Sequence, residues 1–469
     1  MKLLRFSSIL LALTCFLNSI LPGQEKLPNF IIIFADDLGY GDLGCFGNPT
    51  IHTPNLDQLA AEGQKWTQFY VADPVCTPSR AALMTGRYPI RNGMTSPVRV
   101  VLFPDSKGGL PPDEITIAEV LKSRNYATAA VGKWHLGHLP EFLPTQQGFD
   151  YYYGIPYSND MDLMAGSPNY RNEANDPDFL ADTRNYNVPL LENEVEVERP
   201  SDQNTITRRY VEKSVEFIKE NQTHPFFLYL AHNLPHIPLF AHPEFIGTSK
   251  RGLYGDVLEE IDWGVGQIIE TLKDLKLDQN TIVLFTSDNG PWLSFRTHGG
   301  SAGPLRAGKG TSFEGGQRVP TIFWGPGQIS PGLISEMGST LDVMHTFASL
   351  AGAKIPSDRK MDSYDLSPIL RSGKGVSPRK QFFYWNRGEL HAARSGKWKI
   401  HLKQREPVHY GKEVILSHPE LFNIETDISE KHELSEMFPE KVDELLELCE
   451  QHKAHTADAL PDQLAAKID

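Results

Sequence analysis

The sequence predicts an α/β domain built on a mostly parallel sheet, followed by a smaller domain. Short apolar runs alternate with amphipathic segments of helical period, which is typical of a sheet covered by helices on both faces. The clearest run is NFIIIFA at residues 29–35. Further strands are predicted at residues 126–131, 225–231 and 281–286. Helices are predicted around them at residues 54–63, 115–125, 205–221, 253–277 and 340–352.

Two of the predicted helices have clear local signals. In the first, Thr53 is a suitable N-cap, Pro54 fits the first turn, and Gly63 is suited to the end of the helix. The helix at residues 253–277 has one continuous apolar face, formed by Val257, Ile261, Val265, Ile268 and Leu272.

Three later parts of the chain depart from this alternation. Residues 159–200 are rich in Asn, Asp, Pro and Glu, so we expect a long surface insertion that contributes to a substrate pocket. Residues 356–378 have the composition of a linker or irregular crossing. The smaller domain, residues 379–469, is predicted as an antiparallel meander closed by a helix. Its strands are expected at residues 381–385, 390–394 and 397–402, with a turn at Ser395-Gly396 and the helix at 439–454.

Composition excludes several classes of protein. The 469 residues include 45 Lys and Arg against 59 Asp and Glu, which gives a formal net charge of −14. Such an ordinary composition, with 40% hydrophobic residues, excludes disordered, collagen-like and coiled-coil proteins and allows a sizeable core. Because nucleic acid requires a continuous basic surface, the acidic balance argues against a nucleic-acid partner.

The amino terminus is typical of an exported protein. Lys2 and Arg5 precede an apolar stretch at residues 9–17, and Pro22-Gly23 follow it, which predicts a secretory signal peptide over residues 1–23. A retained membrane anchor is the alternative reading. No second hydrophobic span occurs, so we expect a secreted or periplasmic protein with no stable membrane span, whose catalytic domain covers residues 24–355.

Cysteine usage does not indicate a disulfide scaffold. The four cysteines lie at positions 15, 45, 76 and 449, and removal of the signal peptide leaves three. Whether Cys45 and Cys449 pair stays open at this point.

Polar clusters follow each of the four predicted strands. They are Asp36-Asp37, Lys133-Trp134-His135, residues 232–236 and Asp288-Asn289. Because the carboxyl ends of strands in an open α/β sheet meet at the ligand-binding edge, we expect the four clusters to lie together there.

The carboxylates and the amide in these clusters indicate a metal site. Asp36, Asp37, Asp288 and Asn289 supply oxygen ligands, which suit calcium or magnesium rather than zinc. Any one of them could instead form a turn or a helix cap. Adjacent like charges at the end of a buried strand are costly, however, and a cation is the simplest compensation.

One segment connects the sequence to a known family. Residues 76–80, CTPSR, are followed by AALMTGRYP, and this run resembles the formylglycine signature C-x-P-x-R of the type I sulfatases, the family of the arylsulfatases and N-acetylgalactosamine-6-sulfatases. The remaining matches occur in family order; they are Asp36-Asp37, residues 132–135, Ser158, His236, residues 288–290 and residues 308–310. The resemblance extends over about residues 28–350, and more loosely over the C-terminal part.

The resemblance implies a fold, a modified nucleophile and a metal site. The fold would be an alkaline-phosphatase-like large mixed sheet covered by helices, with a C-terminal antiparallel sheet and helix. A maturation enzyme would oxidise Cys76 to formylglycine, and one hydroxyl of its hydrate would attack the sulfur of a sulfate ester. Calcium, or magnesium, would be held by Asp36, Asp37, Cys76 in its modified form, Asp288 and Asn289.

The resemblance also implies roles for the cationic and histidine residues. Arg80, Lys133 and Lys309 would offset the charge of the sulfuryl group. His236 and Lys309 are candidates for protonating the leaving alcohol, and His135 for taking a proton from the second hydroxyl. Ser158 would support substrate binding with Lys133, His236 and Lys309.

Two local features agree with these roles. Pro78 fits the first turn of a helix, which would direct N–H groups and the positive end of the helix dipole toward Cys76 and an anion. The family spacing H-x-P selects His236, whereas His232 is interpreted as structural.

The sequence thus predicts hydrolysis of sulfate esters, on carbohydrate or aryl substrates, to an alcohol and inorganic sulfate. Two alternatives remain at this point: a phosphomonoester or phosphonate ester hydrolase on the same fold, and a non-catalytic binder of sulfated glycans.

Overall fold

A large mixed sheet forms the centre of the first domain. The structure is a computed structural model that describes residues 26–168, 170, 174–408 and 411–468. Within these residues the sheet has ten strands. They are β1 Asn29–Ala35, β2 Gln64–Tyr70, β3 Ala127–Gly132, β4 Tyr151–Gly154, β5 Leu190–Glu192, β6 Val195–Glu198, β7 Phe226–Ala231, β8 Thr281–Ser287, β9 Thr321–Trp324 and β10 Gly332–Ser339.

The order of the strands brings the four predicted ones side by side. The sheet runs β10-β2-β9-β8-β1-β7-β3-β4-β5-β6. The middle strands β8, β1, β7, β3 and β4 are mutually parallel, whereas β9, β5 and β6 make antiparallel pairs. The expected large mixed sheet is therefore confirmed, and the carboxyl ends of β8, β1, β7 and β3 adjoin one another.

Helices cover both faces of this sheet. They are α1 Pro54–Glu62, α2 Cys76–Thr85, α3 Pro89–Asn92, α4 Ile117–Lys122, α5 Ile206–Glu220, α6 Leu253–Asp274, α7 Glu314–Gln317, α8 Asp342–Ala351, α9 Ser367–Ser372 and, in the second domain, α10 Pro439–His455.

Strand β1 shows why both faces must be covered. Phe30, Ile32 and Phe34 pack into a core shared with α2, α4 and α8, whereas Ile31 and Ile33 pack on the other side with α1, α5 and α6. All five side chains are fully buried. Burial of each stabilises the fold by about 2 kcal/mol relative to exposure, so this strand requires a layer of helices on each face.

Two sequence signals for helices have a structural counterpart. Thr53 occupies the N-cap position of α1, but its side chain does not cap the helix. Its hydroxyl instead accepts a hydrogen bond from the Gly44 amide and donates one to Asp57. The predicted apolar face of α6 is buried throughout.

Several elements were not predicted. The partner strands β2, β9 and β10 were missed because their apolar residues alternate with polar ones or form runs too short to stand out. The insertion at residues 159–200 contributes β5 and β6 to the sheet, and α9 lies within the segment predicted as a linker.

The second domain is an antiparallel sheet packed against helix α10, as expected. Its four strands, in spatial order, are β11 Gln381–Asn386, β12 Glu389–Ser395, β13 Trp398–His401 and β16 Glu420–Asn423. A short ribbon of β14 Gln404–Arg405 and β15 Glu413–Val414 stands beside it. The core of this domain includes Tyr70, Ala82 and Tyr88 from the first domain, so one apolar cluster crosses the boundary.

The structure also bears on the sequence expectations for export and cysteines. The predicted signal peptide, residues 1–23, lies outside the described residues. No helix in the described part of the chain has the length and apolar character that crossing a bilayer requires. Cys45, Cys76 and Cys449 are free thiols, so Cys45 and Cys449 are not paired in this structure.

Candidate active site

Cys76 is the first residue of helix α2. The chain leaves β2 at Tyr70 and reaches the helix through an extended Val75, the N-cap residue. Every residue of α2 is buried, and the helix ends at Gly86 in the left-handed conformation, with φ of 65°. The first-turn amide groups and the positive end of the helix dipole therefore lie next to the Cys76 side chain.

Arg80 lies one helical turn after Cys76 and connects three strand ends. Its Nε and Nη2 atoms lie 3.0 and 2.9 Å from Oδ2 of Asp288. Its Nη1 donates a hydrogen bond of 2.9 Å to the carbonyl oxygen of Lys133, and Nη2 lies 3.4 Å from Asp36. The guanidinium thus joins α2 to residues that follow β8, β3 and β1.

The carboxylates of Asp36, Asp37 and Asp288 converge at the same edge. Asp37 has a left-handed backbone, with φ of 65°, and its amide donates to Oδ1 of Asp288 at 3.1 Å. The side-chain nitrogen Nδ2 of Asn289 donates to Oδ1 of Asp37 at 2.7 Å. Oδ1 of Asp36 lies 3.3 Å from the Cys76 sulfur.

Two lysines complete the charge balance. The ammonium of Lys133 contacts the Asp36 carboxylate and donates to the hydroxyl of Ser158 at 3.1 Å. Nζ of Lys309 lies 2.7 and 2.9 Å from the two carboxylate oxygens of Asp37 and 3.4 Å from the Cys76 sulfur. Three buried carboxylates are therefore matched by three buried cations, Arg80, Lys133 and Lys309.

Burial and like charges raise the pKa values of several groups in the site. Burial is the largest cause for Asp37, and the neighbouring Asp36 and Asp288 add to it, so its pKa lies above the ordinary carboxylate value. The pKa of Asp288 is raised for the same two reasons, burial and Asp36. Burial, reinforced by Asp288 and Asp36, also raises the pKa of the Cys76 thiol, which therefore stays protonated at neutral pH.

The two predicted catalytic histidines are buried and neutral. Burial and the charge of Lys309 lower the pKa of His236, and burial with Lys133 lowers that of His135. Nε2 of His135 lies 2.8 Å from the Leu102 carbonyl oxygen, which can only accept, so this nitrogen carries the hydrogen. Its Nδ1 is buried and has no hydrogen-bond partner among the described residues.

His236 has the opposite arrangement. Its Nδ1 lies 2.6 Å from the carbonyl oxygen of Ile237, so Nδ1 carries the hydrogen of the neutral ring. Nε2 points toward the site and lies 3.7 Å from Oδ2 of Asp37.

The carboxylate and amide oxygens at this edge fit a hard divalent cation. Ligand atoms of Asp36, Asp37, Cys76 and His236 lie within 4.8 Å of one another. The side-chain oxygen of Asn289 is buried without a hydrogen-bond partner among the described residues, which is costly unless a cation is bound. A divalent cation would also offset the repulsion that raises the carboxyl pKa values.

All eleven predicted site residues are buried, each at most 4% exposed. They are Asp36, Asp37, Cys76, Arg80, Lys133, His135, Ser158, His236, Asp288, Asn289 and Lys309. Trp292 was missed: its ring packs against His236 at 5.2 Å between centroids, and Nζ of Lys309 lies 4.4 Å from the ring centre. Its place three residues after Asn289 was the only signal for it.

A cavity of about 390 Å³ lies beside Pro238, two residues after His236. Residues of the predicted insertion form much of its wall, among them Asp160, Tyr170 and Tyr186, and Phe295 lies on another side. Burial raises the pKa of Asp160, and the charges of Lys133 and Lys309 oppose that rise, so this wall of the cavity lies near the cationic part of the site.

Comparison with known proteins agrees with this geometry. The sequence model of the Sulfatase family matches residues 28–353, and that of the C-terminal region of aryl-sulfatase matches residues 377–467. The chain belongs to the sulfatase family. It is an enzyme that hydrolyses sulfate esters.

Individual sulfatases are similar over most of the chain. Human arylsulfatase A is 44% identical over 416 residues, covering 86% of this chain and 79% of that protein. N-acetylgalactosamine-6-sulfatase of Sus scrofa is 42% identical over 388 residues, covering 81% and 72%. The crystal structure of Ps i-CgsB in complex with k-i-k-neocarrahexaose is 34% identical, with a TM-score of 0.79 and 95% of each chain covered.

His232 differs from His236 in its surroundings. Both ring nitrogens of His232 are buried without hydrogen-bond partners among the described residues, so it does not satisfy a backbone group as a structural histidine was expected to do. Burial lowers its pKa to about 4.

This burial predicts an acid-sensitive contribution to stability. An unfolded histidine titrates near pH 6.5, so below that pH the unfolded chain binds a proton that folded His232 does not. Stability is therefore lost as the pH falls from about 6.5 toward 4. Between pH 7 and 5 the free energy of unfolding of the sulfatase should fall by about 2 kcal/mol more than that of His232→Leu. Urea unfolding at both pH values measures this, with exposed His224→Leu as the control, and equal pH dependence in all three proteins would contradict it.

Proposed function

We propose that this sulfatase removes sulfate from carbohydrate through a formylglycine made from Cys76 and a bound calcium ion. The single observation that carries the proposal is the position of Cys76. It lies at the start of a buried helix, in contact with both Asp36 and Lys309, at the centre of the six buried charges.

The surroundings of Cys76 do not favour a thiol nucleophile. Attack by sulfur requires a thiolate, and burial with Asp288 and Asp36 disfavours it. A thiol would also be left sulfated, with no second hydroxyl from which sulfate could leave. The hydrate of formylglycine supplies both a hydroxyl nucleophile and that second hydroxyl, which is the chemical reason for the modification. Its formation requires a maturation enzyme as a partner.

Asp36, Asp37, Asp288 and Asn289 are the residues that would hold calcium, together with the modified side chain at position 76. Their oxygen atoms suit calcium, and magnesium is the alternative. When bound, the cation supplies positive charge that lowers the pKa of a coordinated hydroxyl and offsets charge on the sulfuryl oxygens.

Arg80, Lys133 and Lys309 provide fixed positive charge for the sulfuryl group. All three are held in place by carboxylates before substrate arrives, so they need little reorganisation as charge develops in the transition state. The hydroxyl of Ser158, which accepts a hydrogen bond from Lys133, is placed to support the same anion.

The histidines fit complementary proton transfers. The free Nδ1 lone pair of neutral His135 suits removal of a proton from the second hydroxyl. Nε2 of His236 faces the site and can carry a proton to the leaving alcohol, because a bound sulfate anion favours the protonated ring and opposes the effect of Lys309. Lys309 is the second candidate for this role.

The substrate side of the proposal rests on the cavity and on two relatives. The cavity next to Pro238 is lined by tyrosines and one carboxylate, groups that suit a sugar ring and its hydroxyls. N-acetylgalactosamine-6-sulfatase and Ps i-CgsB, the latter bound to an oligosaccharide, are similar over most of the chain. Export to the cell exterior or periplasm through the signal peptide completes the proposal.

The first prediction concerns the modification itself. Trypsin should release residues 66–80, bounded by Lys65 and Arg80, and in active enzyme this peptide should have the lower mass of the aldehyde form. Sulfate release from sulfated oligosaccharides and from nitrophenyl sulfate should scale with the modified fraction and exceed phosphate release from nitrophenyl phosphate. Cys76→Ala should be folded and inactive, whereas Cys45→Ala should stay active. A fully active preparation with only unmodified thiol would refute the mechanism.

The second prediction concerns the metal. Asp288→Ala should lose bound calcium and lower kcat by at least about 100-fold, because both a ligand and the partner of Arg80 are removed. Metal analysis of purified protein measures the calcium content. Asp262→Ala is the matched control. Asp262 is also a buried carboxylate, but it accepts hydrogen bonds from the Asn55 side chain and the Leu56 amide, away from the site. Equal calcium content in Asp288→Ala and the parent would rule out the assignment.

The third prediction separates the two histidines. His236→Ala should lower kcat on a sugar sulfate by about 10-fold more than on nitrophenyl sulfate, because a nitrophenolate leaves without protonation. The comparison uses both substrates with the parent, His236→Ala and His232→Ala. The assignment fails if both substrates lose the same factor, or if His232→Ala is the more impaired variant.

A further inference from the structure

The backbone that carries Lys309 has little regular structure of its own. We call residues 306–314 the Lys309 loop; it follows a short helical segment that ends at His298 and includes Glu314, the first residue of helix α7. Within the loop Ala307 and Gly310 have left-handed backbones, with φ of 60° and 80°. Its position therefore depends on bonds to neighbouring elements.

The first domain supplies two of these bonds. The Lys309 amide donates to the Pro291 carbonyl oxygen at 3.0 Å, and the Gly310 amide donates to the Pro74 carbonyl oxygen at 2.9 Å. Pro74 lies two residues before Cys76, so this bond connects the loop directly to the segment that presents the nucleophile.

The second domain holds the other side of the same residue. Asn386, the last residue of β11, is 1% exposed and donates from Nδ2 to the carbonyl oxygen of Gly310 at 3.0 Å. Gly310 is thus bonded on one side to the Cys76 segment and on the other to the C-terminal sheet.

A buried ion cluster fixes the rest of the loop to that sheet. Nζ of Lys399, in β13, donates to the Ser312 carbonyl oxygen at 2.9 Å and lies 3.0 Å from Glu314 and 2.9 Å from Glu430. Glu430 also accepts a hydrogen bond of 2.6 Å from the Glu314 amide, and its own carbonyl oxygen accepts one of 2.7 Å from Arg306.

The buried charges of this cluster restrict movement of the Lys309 loop relative to the C-terminal sheet. Lys399, Glu314 and Glu430 are fully buried. Separating the charges of a buried ion pair costs far more free energy than separating those of an exposed pair, because water does not replace the lost partner. The three side chains are therefore held close together. The second domain therefore holds the loop at Gly310, Ser312 and Glu314, which follow Lys309 at one, three and five residues.

We propose that Asn386 and the Lys399–Glu430 pair of the C-terminal domain are positioning residues for Lys309. This inference rests on the proposed role of Lys309 at the sulfuryl group. Asn386 and Lys399 do not touch the reacting atoms; they set where the Lys309 ammonium lies relative to Asp37 and Cys76. A displacement of about 1 Å at such a group can lower the rate about 100-fold.

The test is a double-mutant cycle between Asn386 and Lys309. Asn386→Leu removes the hydrogen bond to Gly310 and keeps a similar volume. Kinetic constants on nitrophenyl sulfate, normalised to the formylglycine fraction from peptide mass, and the inhibition constant of inorganic sulfate are measured in four proteins: the parent, Asn386→Leu, Lys309→Ala and the double variant.

The expected result is a strongly non-additive cycle. Asn386→Leu should lower kcat/KM by about 10- to 100-fold and weaken sulfate inhibition in the parent. In the Lys309→Ala background, Asn386→Leu should change kcat/KM and the inhibition constant of sulfate by less than about twofold, because no ammonium remains to be positioned. Asn280→Leu, which removes an amide bond to the Leu27 carbonyl oxygen at the opposite edge of the sheet, should leave kcat/KM at the parental value.

The outcomes separate this inference from the proposed function. If Lys309→Ala retains parental activity, the proposed role of Lys309 is wrong. If Lys309→Ala is impaired but Asn386→Leu has no effect, or has the same effect in both backgrounds, the positioning role is overturned. Should Asn386→Leu not fold, Asn386→Ala, which adds no bulk, replaces it in the same cycle.

Discussion

The active site depends on one electrostatic constraint: three carboxylates are buried together at the end of a parallel sheet. Burial and the neighbouring carboxylates raise the pKa values of Asp37 and Asp288, whereas the cations around Asp36, Lys133 first among them, hold its pKa well below the ordinary value despite its burial. Arg80, Lys133 and Lys309 each approach from a different element, one from helix α2, one from the end of β3 and one from a loop. The carboxylates thereby hold the three cations in fixed positions around Cys76.

This constraint explains why the surrounding elements are so tightly packed. Arg80 can reach Asp288 and Asp36 because α2 is buried along its whole length and directs one helical turn toward the sheet edge. The same helix places Cys76 at its positive end. A surface helix with the same five-residue motif would leave Arg80 to solvent, where pairing with a carboxylate is worth little.

The second domain is part of the same arrangement rather than an appendage. Its core includes aromatic residues from β2 and the segment after α2, and its buried Lys399 pairs with Glu314 from the first domain. Glu314 also accepts hydrogen bonds from Tyr70 and Tyr384, one from each domain. Shared burial of this kind makes the geometry of the Lys309 loop depend on the folding of both domains.

The sequence by itself determined the α/β class, the central strands and the set of residues from which the candidate site is proposed. Runs such as NFIIIFA are typical of buried strands, and polar clusters directly after parallel strands are expected to meet where those strands end. The CTPSR segment and its companions were sufficient for the family. These signals are local, because each depends on residues a few positions apart in the chain.

Only the tertiary structure decided the contacts between residues that are far apart in the chain. The strands β2, β9 and β10 owe their place to pairing with one another and with β8, and Trp292 contacts His236 across more than fifty residues of chain. The hydrogen-bond partners of His135 and His236 fix which ring nitrogen is free, and neither follows from the motifs. The link from Asn386 to Gly310 is of the same kind, since it joins two domains whose register no local pattern specifies. Such contacts arise from the packing of whole elements, which is set by the sum of buried surface and paired charges rather than by any one segment.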